Sequence, residues 1–355
     1  MSEEARSIER MDYRAFDHTE VACKQWDAYV LQHPQAQHYH LSGWAQVIER
    51  AYGHRSVSLV AEDGEGEIKG VLPLIEMRRW VLGHVAASMP FLDYGGMCAD
   101  EVSVRQGLLD AALAHCAQAG IKTLDLRHYT PSGLDLQPFD QKVTLVLPLL
   151  DEAGHLWKGL NAKVRNQVRK AEKSGLAFQW AGTEKLPDFY RVWSENMRDL
   201  GSPVHSLRFF RAVFACFPST RLALVYAGDD VIGGAVCLYF RDTVLVPWAS
   251  SLRSFFRYCP NNLLYWEAIR AACEAGYRRF DFGRSSYDTG TYRFKKQWGA
   301  VEHGLSWECW SAHEAARPIV EASHGPYGRA VQVWQRLPLP VANRLGPWIR
   351  RYLSN

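Results

Sequence analysis

The stretch FDFGRSSYDTGTYRFKKQWGA, residues 280–300, gathers aromatic, hydroxyl and cationic side chains behind a strand-like beginning. Asp281 ends that strand, and Gly283 lets the backbone turn where a side chain would obstruct it. Arg284 and Ser285 then project from the strand end, the usual place for ligand groups in α/β architecture. Beyond Gly290 an extended reading puts Tyr292 and Phe294 on one face and Arg293 and Lys295 on the other. A lysine so placed can stabilise negative charge developing on a carbonyl or phosphate oxygen. Asp281 is a candidate to take a proton from an attacking amine. The plainer alternative is a surface hairpin with an aromatic face.

A second concentration is LWKGLNAKVRNQVRKAEKSGL, residues 156–176. Leu160, Val164, Val168 and Ala171 recur at helical spacing and would face the protein. Lys163 and Lys170 share one side, while Arg165, Arg169 and Lys173 form a ladder along another, opposed only by Glu172. Like charges at that spacing repel unless they are solvated or face an anion. Asn166 adds a neutral donor beside Arg165, which suits phosphate oxygens. The partner this pattern favours is a phosphate or pyrophosphate on a carrier; a solvated helix face is the alternative. In the turn PFLDYGG (90–96), Asp93 and Tyr94 are candidates to line a cleft, and Arg127 closes the strand IKTLDLR as a further binding candidate.

Other chemistries find little support. Ser285 lacks the G-x-S-x-G elbow of a nucleophile. His33, His38 and His40 have no carboxylate or cysteine at ligand spacing, so no metal is expected. There is no Walker loop and no G-x-G-x-x-G after a strand. The eight cysteines form no C-x-x-C pair and read as reduced thiols.

Several elements must position these residues. At 355 residues two domains are expected, and a net charge of +3 is too mild to announce nucleic-acid binding. MSEEARSIER carries acids where a signal peptide needs bases, and no run approaches the roughly 18–20 apolar residues of a membrane span. The expectation is a cytoplasmic protein, with peripheral contact at the inner membrane surface held open by its tail. A short helix ends at Gly53; strands at 57–61 and 68–77 flank the turn DGEGE and form a hairpin. Strand 85–89, helix 106–120 and strand IKTLDLR follow. The second half repeats the plan. A shift of 156 residues lays Leu108 on Leu264, Leu113 on Ile269, Gly120 on Gly276, and Leu124-Asp125-Leu126 on Phe280-Asp281-Phe282. Gly70 similarly echoes Gly234. This reads as internal duplication of one α/β unit. The division expected is a flexible leader (1–18), two domains (19–150 and 151–312) and a basic amphipathic tail (313–355). Arg317, Arg329, Arg336, Arg344, Arg350 and Arg351 in that tail suit either a strap on the protein body or an anionic membrane surface.

The run KVRNQVRKAEKSGL followed by FDFGRSS and GTYRFKKQWGA resembles the Fem-type peptidyl transferase family. More narrowly it looks like the FemAB-related branch of the GNAT superfamily found beside bacterial exopolysaccharide genes. The resemblance covers about residues 20–310. It implies a mixed α/β fold of two tandem GNAT-like domains, each a mostly antiparallel mixed sheet flanked by helices, with the acceptor site in the cleft between them. Fem-type enzymes transfer an amino acid from aminoacyl-tRNA to an amine of a peptidoglycan precursor. The resemblance gives Lys295 a substrate-contacting, charge-stabilising role and gives Lys163, Arg165 and Arg169 an anion-binding one. Two departures stand out: no long helical-hairpin insertion interrupts the chain, and SFFRYCPNNLLYW replaces the glycine-rich loop with which GNAT enzymes cradle the CoA pyrophosphate. No tightly bound cofactor is expected, and the donor remains open between aminoacyl-tRNA, acyl-CoA and another activated acyl carrier. The expected function is an N-acyl or aminoacyl transferase acting on an exopolysaccharide or peptidoglycan precursor by direct amine attack. A non-catalytic module binding such an anionic precursor is the rival, and an RNA-binding protein is a weaker one.

Overall fold

A computed structural model describes residues 11–79, 83–312 and 326–353. The chain divides into two compact units: Met1–Ala45, His54–Phe139 and Ser306–Ala316 form the first, and Gln46–Gly53, Asp140–Leu305 and Arg317–Asn355 the second. The sequence division at 150 and 312 was sequential. The structure instead returns the end of the last strand to the first unit.

In chain order the first stretch holds β1 (Asp12–Ala15), α1 (Glu20–Gln32), α2 (Gly43–Tyr52), β2 (Arg55–Ser56) and β3 (Leu59–Glu62). It continues with β4 (Ile68–Leu72), β5 (Ile75–Arg79), β6 (Gly83–Ala87), β7 (Cys98–Ala99), α3 (Val102–Ala119) and β8 (Thr123–His128). Then come β9 (Gln137–Pro148), α4 (Ala153–Gly159), α5 (Ala162–Lys173), β10 (Leu176–Ala181), α6 (Leu186–Asp199) and α7 (Leu207–Cys216). The remainder is β11 (Arg221–Ala227), β12 (Asp230–Phe240), β13 (Thr243–Ser251), α8 (Pro260–Glu274), β14 (Arg279–Ser285), α9 (Gly290–Lys296), β15 (Val301–Ser311), α10 (Pro326–Gln335) and α11 (Leu339–Arg350).

The first unit pairs β1-β3-β4-β7 in one sheet, and β8-β6-β5-β2 in another, with the end of β15 antiparallel on β8. IKGVLPLIEM, expected as one strand of a hairpin, is two strands in different sheets. Pro73 lies at the break, where it has no N–H to give a ladder. Residues 1–10 of the expected leader lie outside the described residues. Residues 12–15 are not loose but form an edge strand, pairing Asp12–Ala15 with Glu62–Leu59. The core joins Leu59, Leu72, Leu124 and Leu126 to Val104, Leu108 and Ala112 of α3.

The second unit orders its strands β10-β11-β12-β13-β14-β9. Phe189 of α6, Phe209 and Phe210 of α7 and Trp248 of β13 are all buried against it. Each unit contains one parallel pair joined by a helix: β6 and β8 through α3, and β13 and β14 through α8. Leu124-Asp125 and Phe280-Asp281, matched by the sequence shift, both sit in the second strand of that pair. The glycines matched between halves also share a job. A Cβ on Gly70 would lie 2.8 Å from Val104 of α3, and one on Gly234 would lie 2.9 Å from Phe189 of α6.

Candidate functional site

In the second unit, β13 and β14 pair only over Thr243–Leu245 and Arg279–Asp281. Beyond that point β13 stays on β12 out to Ser251, and β14 stays on β9 out to Ser285, so the sheet opens between them. A bulge in β13 lies between the pairs Leu238↔Leu245 and Val236↔Trp248, at Val246 and Pro247. Where the sequence lacks a glycine-rich loop, the chain makes a 3-10 turn over Arg253–Tyr258, and Cys259 enters the left-handed region at φ 58° to start α8. The first turn of α8 is tied on both sides. Ser251 donates to Asn261, and the Asn262 amide donates to Gln167 of α5 at 3.2 Å.

The opposite wall carries Asp281 and Lys295, and both are engaged inside the fold. Between Asp281↔Val146 and Arg284↔Thr144 the β14 register gains a residue, a bulge at Phe282 and Gly283. Gly283 has φ 72°, which a side chain would strain. Asp281 Oδ1 accepts from Thr144 Oγ1 at 2.6 Å and from the Gly283 N–H at 2.8 Å. Lys295, only 8% exposed, donates from Nζ to the carbonyls of Gly283 at 2.7 Å and Arg284 at 2.9 Å. Both side chains thus support the strand end.

The extended reading of residues 290–296 is corrected as well. Thr289 caps α9 by accepting from the Tyr292 N–H at 3.3 Å, and the segment coils. Two residues apart on a helix lie on different sides. Phe294 therefore packs with Tyr265 and Trp298, while the Tyr292 hydroxyl donates to Glu302 at 2.7 Å. That bond, with burial second, pushes the Tyr292 hydroxyl up to about 12.

Arg284 and Ser285 line a cavity of about 330 Å³ with Lys142, Ser286, Thr289 and Thr291. Two cations and four hydroxyls, without a carboxylate among them, suit an anion. Lys142 Nζ donates to Ser286 Oγ at 3.1 Å, and Thr289 and Thr291 hydroxyls lie 3.0 Å apart. The Ser285 hydroxyl is buried, with no hydrogen-bond partner among the described residues. Lys142 was not found by sequence reasoning, because it enters from β9, 144 residues from Ser286.

The basic helix differs from its sequence reading. The segment expected as one helix breaks at Leu160, and Asn161 caps α5 by accepting from the Lys163 N–H at 2.9 Å. Lys163 and Asn166 are exposed. Arg165 turns back to donate to the Lys158 carbonyl at 2.6 Å, satisfying the end of α4. The Arg169 guanidinium lies 5.6 Å from the Trp157 ring centre. The ladder is thus partly folded onto α4 instead of standing open.

Three other sequence candidates belong to the first unit. Tyr94 is buried among Tyr39 and Tyr129. Arg127 is fully buried, donating to the Leu92 carbonyl at 3.1 Å with its guanidinium 4.4 Å from the Trp307 ring centre. The Asp93 carbonyl accepts from Trp307 Nε1 at 3.0 Å. They build a buried turn support. Sequence reasoning also missed two constellations there. His128 Nδ1 and Glu308 form a buried pair at 2.7 Å. Burial raises the Glu308 carboxyl, but His128 together with the Ser132 and Ser306 side chains outweighs it and holds the group below its ordinary value. His33 lies 3.1 Å from both Cys98 Sγ and the Asp100 carboxylate, although Cys98 is 65 residues away in sequence. No group of three metal-ligating side chains suited to an ion is found among the described residues.

Residues 159–296, which span α5 to α9 and hence the opened strand pair, match the family model of an acetyltransferase (GNAT) domain. No curated protein matches the chain. Among solved structures it is similar to FemX, with 15% identity, a TM-score of 0.64 and coverage of 92% of this chain and 100% of that one. It is similar to L-PGS from Bacillus licheniformis, with 11% identity, TM-score 0.54 and coverage of 96% and 98%. A tandem GNAT protein from the clavulanic acid biosynthesis pathway shares 13% identity, TM-score 0.50 and coverage of 85% and 98%. Likeness at these identities carries the fold. The fold class is mixed α/β with the fold of tandem GNAT proteins, as the sequence resemblance implied, and residues 159–296 match a GNAT acetyltransferase domain.

Proposed function

We propose that this protein is an N-acyl or aminoacyl transferase acting on an amine of an anionic cell-envelope precursor, of exopolysaccharide or peptidoglycan type, at the cytoplasmic side. The observation that carries the reading is the opened β13/β14 pair within the segment that matches a GNAT domain. The gap between its strand edges can admit an extended acyl donor. The acceptor amine attacks the donor carbonyl directly. The new C–N bond forms as the donor C–S or C–O bond breaks, and the departing thiolate or alkoxide takes up the proton that the amine sheds. Alignment of the two reactants supplies much of the rate. The Lys142–Arg284 cavity takes the precursor's phosphate. Lys295 and Asp281 act by holding the β14 end rigid, so that Arg284 and Ser285 keep their aim. Acyl-CoA and charged tRNA are both donors of the required chemistry.

The test is discharge of labelled acyl-CoA and, separately, labelled aminoacyl-tRNA by the purified protein with a cell-envelope extract. The expected result is transfer of label from one donor into an amine of a phosphate-bearing acceptor. Binding of the acceptor with neither donor consumed would replace this reading by the non-catalytic module.

A further inference from the structure

The last two described helices, α10 and α11, are strapped to the second unit by one face only. Ala342 and Gly346 of α11 are buried, and a Cβ on Gly346 would come within 3.0 Å of Val204. Gln335 at the end of α10 donates to the Asp199 carbonyl at the end of α6, at 3.1 Å. The opposite face of α11 is open. Val341, Leu345 and Trp348 are 40%, 42% and 49% exposed. With Arg344 they fall at i, i+3, i+4 and i+7, one continuous stripe. Pro340, Val341, Arg344 and Leu345 border a shallow groove of about 410 Å³ on it. Val333 of α10, 63% exposed, adds to the apolar surface.

The charge carried by α10 and α11 themselves has one sign. From Ala322 to Asn355 there are five arginines and no aspartate or glutamate. Exposed Arg329, Arg336 and Arg344 are among them. An apolar stripe ending in a tryptophan and flanked by guanidinium groups matches a bilayer surface, where the ring sits among headgroups and the cations meet lipid phosphates. A protein partner would need a complementary acidic groove as well as an apolar one, whereas an anionic bilayer offers both at once. No described helix is long and apolar enough to cross a membrane, so the contact is peripheral.

We infer that the open face of α11, with its arginine flank, docks this protein on anionic lipid. Each arginine near such a surface strengthens partition by about fivefold. The test uses the full chain in co-sedimentation with vesicles of phosphatidylcholine alone and of phosphatidylcholine with phosphatidylglycerol. Binding is expected only to the anionic vesicles, and it should weaken as salt rises. Arg344→Ala should lower it by about fivefold, and the double variant Leu345→Ala, Trp348→Ala should abolish it. All three side chains are exposed, so the thermal midpoint serves as a check that folding is unchanged. Equal binding to both vesicle types, or no binding to either, would overturn the inference. So would a self-association in sedimentation velocity that the double variant removes, which would assign the face to a second copy.

Discussion

Asp281 and Lys295 hold the same residue from opposite ends of its backbone: the carboxylate takes the Gly283 N–H and the ammonium takes the Gly283 carbonyl. The two charged side chains that the sequence offers as reactive groups are therefore the clamp of a β-bulge. Lys295→Met takes the ammonium from the buried Gly283 carbonyl and the half-buried Arg284 carbonyl and should cost about 2–3 kcal/mol of stability. Asp281→Asn keeps an oxygen to accept from Thr144 and Gly283 and should cost about 1 kcal/mol. Urea denaturation checks both. A fall in turnover of about 100-fold with unchanged stability would instead assign Lys295 to the reacting carbonyl.

The cavity and the basic helix make opposite predictions for acceptor binding. Lys142→Ala and Arg284→Ala should each raise the acceptor KM by about tenfold or more, as expected for loss of a charge-assisted contact. Arg165→Ala should leave KM unchanged and lower stability by about 1 kcal/mol, because its guanidinium serves the α4 carbonyls. Ser285→Ala removes an unpartnered buried hydroxyl, so stability should hold or rise while acceptor affinity falls.

Acid should destabilise the protein from near neutrality. Burial lowers His38 to about 3 and His40 to about 4, and it holds His205 well below 6.5. Each is kept neutral when folded but titrates near 6.5 when unfolded, so the unfolded chain binds more protons below that pH. The stability they contribute is complete above pH 6.5. It is lost as pH falls toward the folded values, by up to about 1.4 kcal/mol per pH unit for each histidine. Denaturation midpoints measured at pH 7.5, 6 and 5 should decline in that order. His38→Phe should reduce the slope, even if it lowers the midpoint through loss of the Trp44 Nε1 bond to His38 Nδ1.

The duplicated glycines should fail alike. Gly234→Ala would place a methyl 2.8 Å from Leu224 and 3.1 Å from the Ala223 carbonyl, and Gly70→Ala would place one 2.9 Å from Ala99. Each should cost about 1–3 kcal/mol by overpacking a helix–sheet contact. An Ala variant as stable as the parent, judged by thermal unfolding, would show that α6 or α3 can retreat.

What the sequence settled is what local spacing encodes. The helix that Gly120 stops, its counterpart that Gly276 stops, the strands after them and the repetition of one α/β plan all follow from patterns contained within each segment. The amphipathic tail was legible too, but not that Ala342 and Gly346 would strap it down. Tertiary structure alone decided the site. Residues 290–296 are too short for alternation and helical period to be told apart, and the Thr289 cap chose the helix. The cation-lined cavity needs Lys142 beside Ser286, and the bulge needs Thr144 beside Asp281, contacts spanning 144 and 137 residues. Side-chain periodicity reports which face is buried, whereas strand neighbours so far apart in sequence are selected only when the whole sheet assembles.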